Sequence, residues 1–223
     1  MAATKKTEEI IEIRPIIVKT VPIRIVGDTP LIVHAWGDKA KQMMLDNMTK
    51  KTKTKAREVR NPVGDFIESL YWLSGKPEEL TEEAYVRAIE SGNAKFGFPV
   101  AAIKQAANSA AYRMKWVTNQ MELRGAYFLK TEWGDMVEIK GDLPVMREDM
   151  VRVGGISKTA DIRYRGEFKN WYMDLLIEYN TNGDKSLEQI VNCINAGGYG
   201  VGIGEWRPEK DGVNGRYHVE VQG

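Results

Sequence analysis

A chain of 223 residues is long enough for one large domain or two small ones, and 43% hydrophobic residues supply the apolar material for a sizeable core. Its 32 Lys and Arg against 31 Asp and Glu leave a net charge of +1, which excludes a uniformly basic nucleic-acid binder and confines any such binding to local patches. One cysteine, Cys193, and two histidines, His34 and His218, exclude an intramolecular disulfide and give too few ligands for a cysteine–histidine zinc site.

Residues 1–9 are polar and charged and read as a disordered lead without the apolar stretch of a signal peptide. No segment approaches the length of a membrane span, so no membrane partner is expected, and the single cysteine, with no disulfide to form, leads to the expectation of a reducing cytoplasm. Residues 10–26 read as extended chain, because Ile16, Val18, Ile23 and Ile25 alternate with polar residues such as Lys19 and Arg24. Pro22 marks an edge, a bulge or a break between two short strands. After the turn Gly27-Asp28-Thr29-Pro30 comes the apolar Leu31-Ile32-Val33. A helix is expected from Asp38, with Ala40, Met43, Met44 and Met48 on one side, running into the lysine-rich residues 49–57. Asn61-Pro62 ends that run, and residues 65–73 read as a short aromatic helix or strand.

Thr81 caps a helix over 82–91, with Glu82 and Glu83 in the first turn, where the helix dipole favours them. Phe96-Gly97-Phe98-Pro99 leads into an alanine-rich helix over 100–114, and Pro99 suits its start. Residues 121–130 and 136–139 read as strands around the turn Trp133-Gly134-Asp135. Residues 151–166 form a loop or hairpin that sets Arg152, Lys158, Arg163 and Arg165 against Asp161. A strand follows over 168–179, and Ser186 caps a helix over 187–195 that Gly197-Gly198 should stop. The last strand covers 215–221.

Five glycines fall between Gly197 and Gly204, followed by Trp206 and Arg207. Glycine lets backbone approach a ligand or another element closely. The spacing is not that of a dinucleotide site: counting from Gly198 puts Ile203 at the third glycine position, and counting from Gly200 puts Glu205 there. No phosphate-binding G-x-x-x-x-G-K-[ST] motif and no metal-ligand spacing occurs, so neither cofactor nor metal is expected. The order of elements suits an α+β fold: an antiparallel sheet with helices on one face, of ferredoxin-like or RNA-recognition-motif type. Residues 10–223 read as one such domain, with basic insertions at about 49–61 and 150–167.

Three landmarks carry a family resemblance. They are the segment Phe96-Gly97-Phe98-Pro99-Val100-Ala101-Ala102-Ile103-Lys104-Gln105-Ala106, the glycine loop after the last helix, and the basic segment from Arg152 to Arg165 between strands. Together they resemble the RAMP superfamily of CRISPR-associated RNA-binding proteins, above all the backbone subunits that coat guide RNA. The loop departs from the usual pattern, because seven residues separate Gly202-Ile203-Gly204 from Gly212-Val213-Asn214-Gly215. The resemblance covers most of the chain and fits either a CRISPR component or a stand-alone phage or mobile-element protein. It implies an RNA-recognition-like core, nucleic-acid binding and a homo-oligomer along the strand.

The expected partner is single-stranded RNA or DNA, bound without enzymatic action. The basic run offers Lys50, Lys51, Lys53, Lys55 and Arg57 as phosphate contacts. The hairpin offers Arg152, Lys158, Arg163, Arg165 and Lys169, interleaved with Tyr164, Phe168 and Trp171; rings stack on bases while cations hold phosphates. Lys104 and Arg113 add charge from one helix but lie about 2.5 turns apart, on opposite sides. Gly198, Gly200, Gly202, Gly204 and Arg207 complete the path. Two alternatives stand beside this reading. One is a metal-independent RNA endonuclease with His34 as acid or base and Lys104 or Arg113 stabilising the phosphorane. The other is a phage module that joins a host or phage protein complex through exposed aromatic and methionine side chains.

Overall fold

Alternation near the start of the chain produces one strand, Val18–Gly27 (β1), whose Ile23 and Ile25 are fully buried. The structure, a computed structural model, describes residues 15–49, 59–153 and 159–221. Residues 1–9, expected as a lead, and the lysines of the basic run therefore lie outside the described residues. Pro22 does not split β1, and the described pairing with the last strand begins only at Ile23. Leu31–Val33 (β2) is buried throughout. Asp38–Met48 (α1) follows, with Met44, Leu45 and Met48 exposed rather than packed into a core.

Pro62–Ser69 (α2) starts on Asn61, whose Oδ1 accepts a hydrogen bond from Gly64 N at 3.0 Å. Glu82–Glu90 (α3) starts on Thr81, whose Oγ1 accepts from Ala84 N at 3.2 Å. Phe96–Pro99 (β3) runs directly into Val100–Arg113 (α4). Residues 121–130 do not form a single strand. Met121–Arg124 (α5) makes one helical turn, and only Tyr127–Lys130 (β4) is extended. Met136–Gly141 (β5) precedes a long hairpin of Val145–Val153 (β6) and Thr159–Phe168 (β7). Phe168 belongs to this hairpin, and the next strand starts at Trp171–Asn180 (β8).

Ser186 and Gln189 form a reciprocal capping box at the start of Leu187–Gly200 (α6). The helix does not stop at Gly197-Gly198 but continues to Gly200. A short 3-10 turn, Pro208–Lys210, and Tyr217–Val221 (β9) close the chain.

The architecture is α+β, with all strand pairings antiparallel. The larger sheet has the order β3-β5-β8-β1-β9, with β4 pairing β8 beside β5. The smaller sheet is β2-β7-β6. Ile23 pairs Leu175 and Ile25 pairs Met173, so these apolar side chains share one face. Ile103, Ala107 and Ala111 of α4 and Ile190 and Ile194 of α6 join them in one core. The small α4 residues let α6 approach closely, which fixes the start of the loop that follows α6.

Candidate functional site: the glycine-loop corner

The glycines at the end of α6 are demanded by packing. A Cβ on Gly197 would stand 2.7 Å from Ala107 N, and one on Gly198 would stand 2.1 Å from Tyr217 O. Both obstacles are backbone, so neither can swing aside. Here helix packing overrides the tendency of paired glycines to end a helix. The turn comes later, at Gly202 and Gly204, which have φ of 70° and 76°.

The loop then seals itself against β2. Glu205 N donates to Ile32 O at 2.9 Å, Ile203 N to Gly215 O at 2.9 Å, and Gly215 N to Pro30 O at 2.8 Å. A Cβ on Gly204 would lie 2.4 Å from Ile32 O. Gly198, Gly202 and Gly204 thus serve close approach and turning, whereas Gly200 has open space around its Cα. The loop adds the side chains of Glu205, Trp206 and Arg207 to the corner it forms.

A cleft of about 190 Å³ opens beside the loop, walled by His34, Tyr71, Pro99, Ala102, Gln105, Glu205 and Arg207 among others. His34 follows β2 directly, so the strand that anchors the loop also places the histidine. Its Nδ1 is 3.9 Å from Glu205 Oε1. Glu205 Oε2 is 3.5 Å from Arg165 Nη2, and Arg165 Nη1 donates to Asp149 Oδ2 at 3.0 Å. Arg147 Nε donates to the other Asp149 oxygen at 2.8 Å and its Nη1 to Glu167 at 3.2 Å. A ladder of charges therefore connects the cleft to the root of the β6–β7 hairpin.

Burial, reinforced by the Arg165 charge and opposed by Glu205, pulls His34 below its ordinary pKa. Burial also pushes the Tyr71 hydroxyl up. For Asp149 burial acts upward, but hydrogen bonds from Arg147, Arg165 and Trp206 outweigh it and hold the carboxyl below its usual range. The corner accordingly holds an imidazole kept below its ordinary pKa in front of an ionic network joined through Asp149.

The sequence-derived cations do not form one basic track. Arg165 is buried and bound to Asp149, which leaves it turned into the fold. Arg163 pairs with Asp161 at 2.8 Å. Arg113 and Arg207 both engage Glu209, at 2.7 and 2.9 Å, and Arg207 Nη1 also donates to Gly204 O at 3.0 Å. Lys104 Nζ donates to Arg124 O and Tyr127 O, each at 2.7 Å, tying α5 to β4. It thus faces away from Arg113, as their helical spacing requires. Arg152 and Lys169 are exposed. Lys50, Lys51, Lys53, Lys55, Arg57 and Lys158 lie outside the described residues.

Sequence reasoning found His34, Arg207 and the loop but missed Glu205 and Asp149, the carboxylates that neutralise Arg165. No local signal marks them, because Arg165 is 16 residues from Asp149 in the chain. Among the described residues, no group of three or more His, Cys, Asp or Glu is placed to hold a metal ion, and no helix is long and apolar enough to cross a membrane. The chain matches no protein-family model, and no curated protein is significantly similar to it.

Proposed function

We propose that the chain binds single-stranded RNA or DNA without cutting it, using the β6–β7 hairpin and the glycine-loop corner. The observation that carries this reading is the face of the hairpin. Met146, Glu148, Met150 and Arg152 on β6 share that face with Ile162 and Tyr164 on β7, and Glu148 stands directly opposite Tyr164. Met150 is 77% exposed although it pairs directly with Ile162, itself also exposed. Apolar side chains with an aromatic ring and an unburied arginine suit stacked bases and the phosphates between them.

The ferredoxin-like, RNA-recognition-type core and the RAMP-like likeness belong to this proposal, and the antiparallel order β5-β8-β1-β9 with α4 and α6 on the connections supports them. Assembly of several copies along one strand belongs to the same proposal. The test is binding of labelled single-stranded RNA, single-stranded DNA and duplex across a salt series. Single strands should bind more tightly than duplex, with affinity falling as salt rises. Met150→Ala combined with Arg152→Ala should weaken that binding. Absence of strand binding at low salt refutes the proposal.

A second reading rests on His34, which lines a cleft with its Nδ1 3.9 Å from Glu205 Oε1. It requires RNA cleavage that His34→Gln abolishes while strand binding persists. Intact RNA after prolonged incubation with the wild-type protein removes it.

A further inference from the structure

The smaller sheet ends on β6, and among the described residues no strand pairs the other edge of β6. That edge runs for nine residues, Val145–Val153, and contains neither proline nor lysine. The strands β2, β3, β4 and β9 are shorter, at three to five residues. An edge strand turns every second N–H and C=O outward, where another strand can pair with them. Proteins commonly blunt such an edge with brevity, proline or lysine, and β6 has none of these. Its side chains Val145, Met146 and Met150 are exposed, and covering them is favourable.

The charges of β6 select the strand that fits. Glu148 and Arg152 stand two positions to either side of Met150, on the same face. Both are exposed, and among the described residues Arg152 has no ion-pair partner. Glu148 accepts from the Tyr164 hydroxyl across the hairpin, and a carboxylate keeps further acceptor capacity beyond one such bond. On the opposite face Asp149 is already neutralised by Arg147 and Arg165.

From this pattern we propose that β6 pairs with β6 of a second copy of this chain, antiparallel about a two-fold axis at Met150, making the two small sheets continuous. In that register Glu148 faces Arg152 of the second copy twice, with the two Met150 side chains between the pairs. On the other face Asp149 meets Val151, so no like charges oppose each other. Moving the axis one residue toward the hairpin root sets Asp149 against its own copy, and two residues sets Glu148 against its own. Moving it one residue toward the tip sets Met150 against Arg152 and forms no ion pair. The dimer is closed by its symmetry and needs no nucleic acid, so it stands apart from the strand-binding reading and from copies laid along a strand. One strand pair is small beside a permanent interface, and the dimer therefore dissociates on dilution.

Sedimentation velocity of the full chain, free of nucleic acid, should show a monomer that becomes a dimer as concentration rises. Glu148→Arg should weaken the dimer about tenfold, because each of two symmetric pairs turns from attraction to repulsion, and Arg152→Glu should do the same. The two substitutions together recreate both pairs and should restore wild-type association; circular dichroism confirms that each variant is folded. The register has its own readout. Met150→Cys should give a covalent dimer on mild oxidation, because opposite residues have Cα atoms about 4.5–5.5 Å apart, within disulfide reach. Arg152→Cys should not, since it lies about 13 Å along the strands from its copy. The native Cys193 is buried and does not compete. A monomer even at millimolar concentration, a charge swap that fails to rescue association, or equal cross-linking of the two cysteine variants overturns the proposal.

Discussion

Alanine substitution at two glycines of α6 should change stability in opposite directions. In a helix, glycine to alanine stabilises by about 0.5–1 kcal/mol, chiefly by restricting the unfolded chain. Gly200 is exposed, its φ is not positive, and an added Cβ meets nothing within 4 Å, so Gly200→Ala should realise much of that gain. Gly198 has the same helical backbone, but its Cβ would stand 2.1 Å from Tyr217 O and 2.5 Å from the Tyr217 ring. Tyr217 is buried and paired with Gly27 of β1, so it cannot retreat without moving β9. Overpacking of this kind costs about 1–3 kcal/mol and can exceed the propensity gain. The net loss for Gly198→Ala is then about 1–2 kcal/mol, or roughly 2–8 °C in melting temperature for a chain of this size. Thermal unfolding followed by far-ultraviolet circular dichroism measures both variants under identical conditions. A Gly198→Ala protein that melts at or above the wild type would show that α6 does not press on β9 and would refute the packing account of these glycines.

The two histidines should titrate on opposite sides of 6.5. His218 is raised, first by its hydrogen bond with Asp28, so its contribution to stability is complete below 6.5 and is lost as pH rises through the folded value. His34 is lowered by burial and Arg165, so its contribution is complete above 6.5 and is lost as pH falls through the folded value. Nuclear magnetic resonance of the imidazole protons checks both, and Asp28→Asn should reduce the elevation at His218, leaving the part that Glu220 supplies; coincident titrations in the wild type would contradict the geometry at both sites. Asp149→Ala should destabilise by about 3 kcal/mol in urea unfolding, because it strands the buried Arg165 with only Glu205 at 3.5 Å. A loss below about 1 kcal/mol would mean that solvent reaches Arg165.

Much of the secondary structure is legible because its causes are local. The capping carboxamide and hydroxyls of Ser186, Gln189 and Thr81 act within three residues, and the alternation in β8 repeats every second residue. Residues 121–130 read as one strand from sequence because the apolar Met121, Leu123 and Tyr127 fit either period over so short a run, whereas the fold splits them into α5 and β4. The candidate site was legible in part: His34, the glycine loop and Arg207 meet at one corner. Its electrostatics were not, because opposing carboxylates come from distant parts of the chain.

By itself the sequence determined the α+β class, the starts of α1, α3, α4 and α6, and the absence of a general positive charge. These follow from composition and from chemistry within a few residues. Tertiary structure decided that α6 continues through its paired glycines, because Ala107 and Tyr217 press against them. It also decided that Arg165 turns inward to Asp149 and that Asn108 is buried with its oxygen unpaired. Glycine, arginine and asparagine each have several local uses. Which one is realised depends on neighbours that only the folded chain brings within a few ångströms.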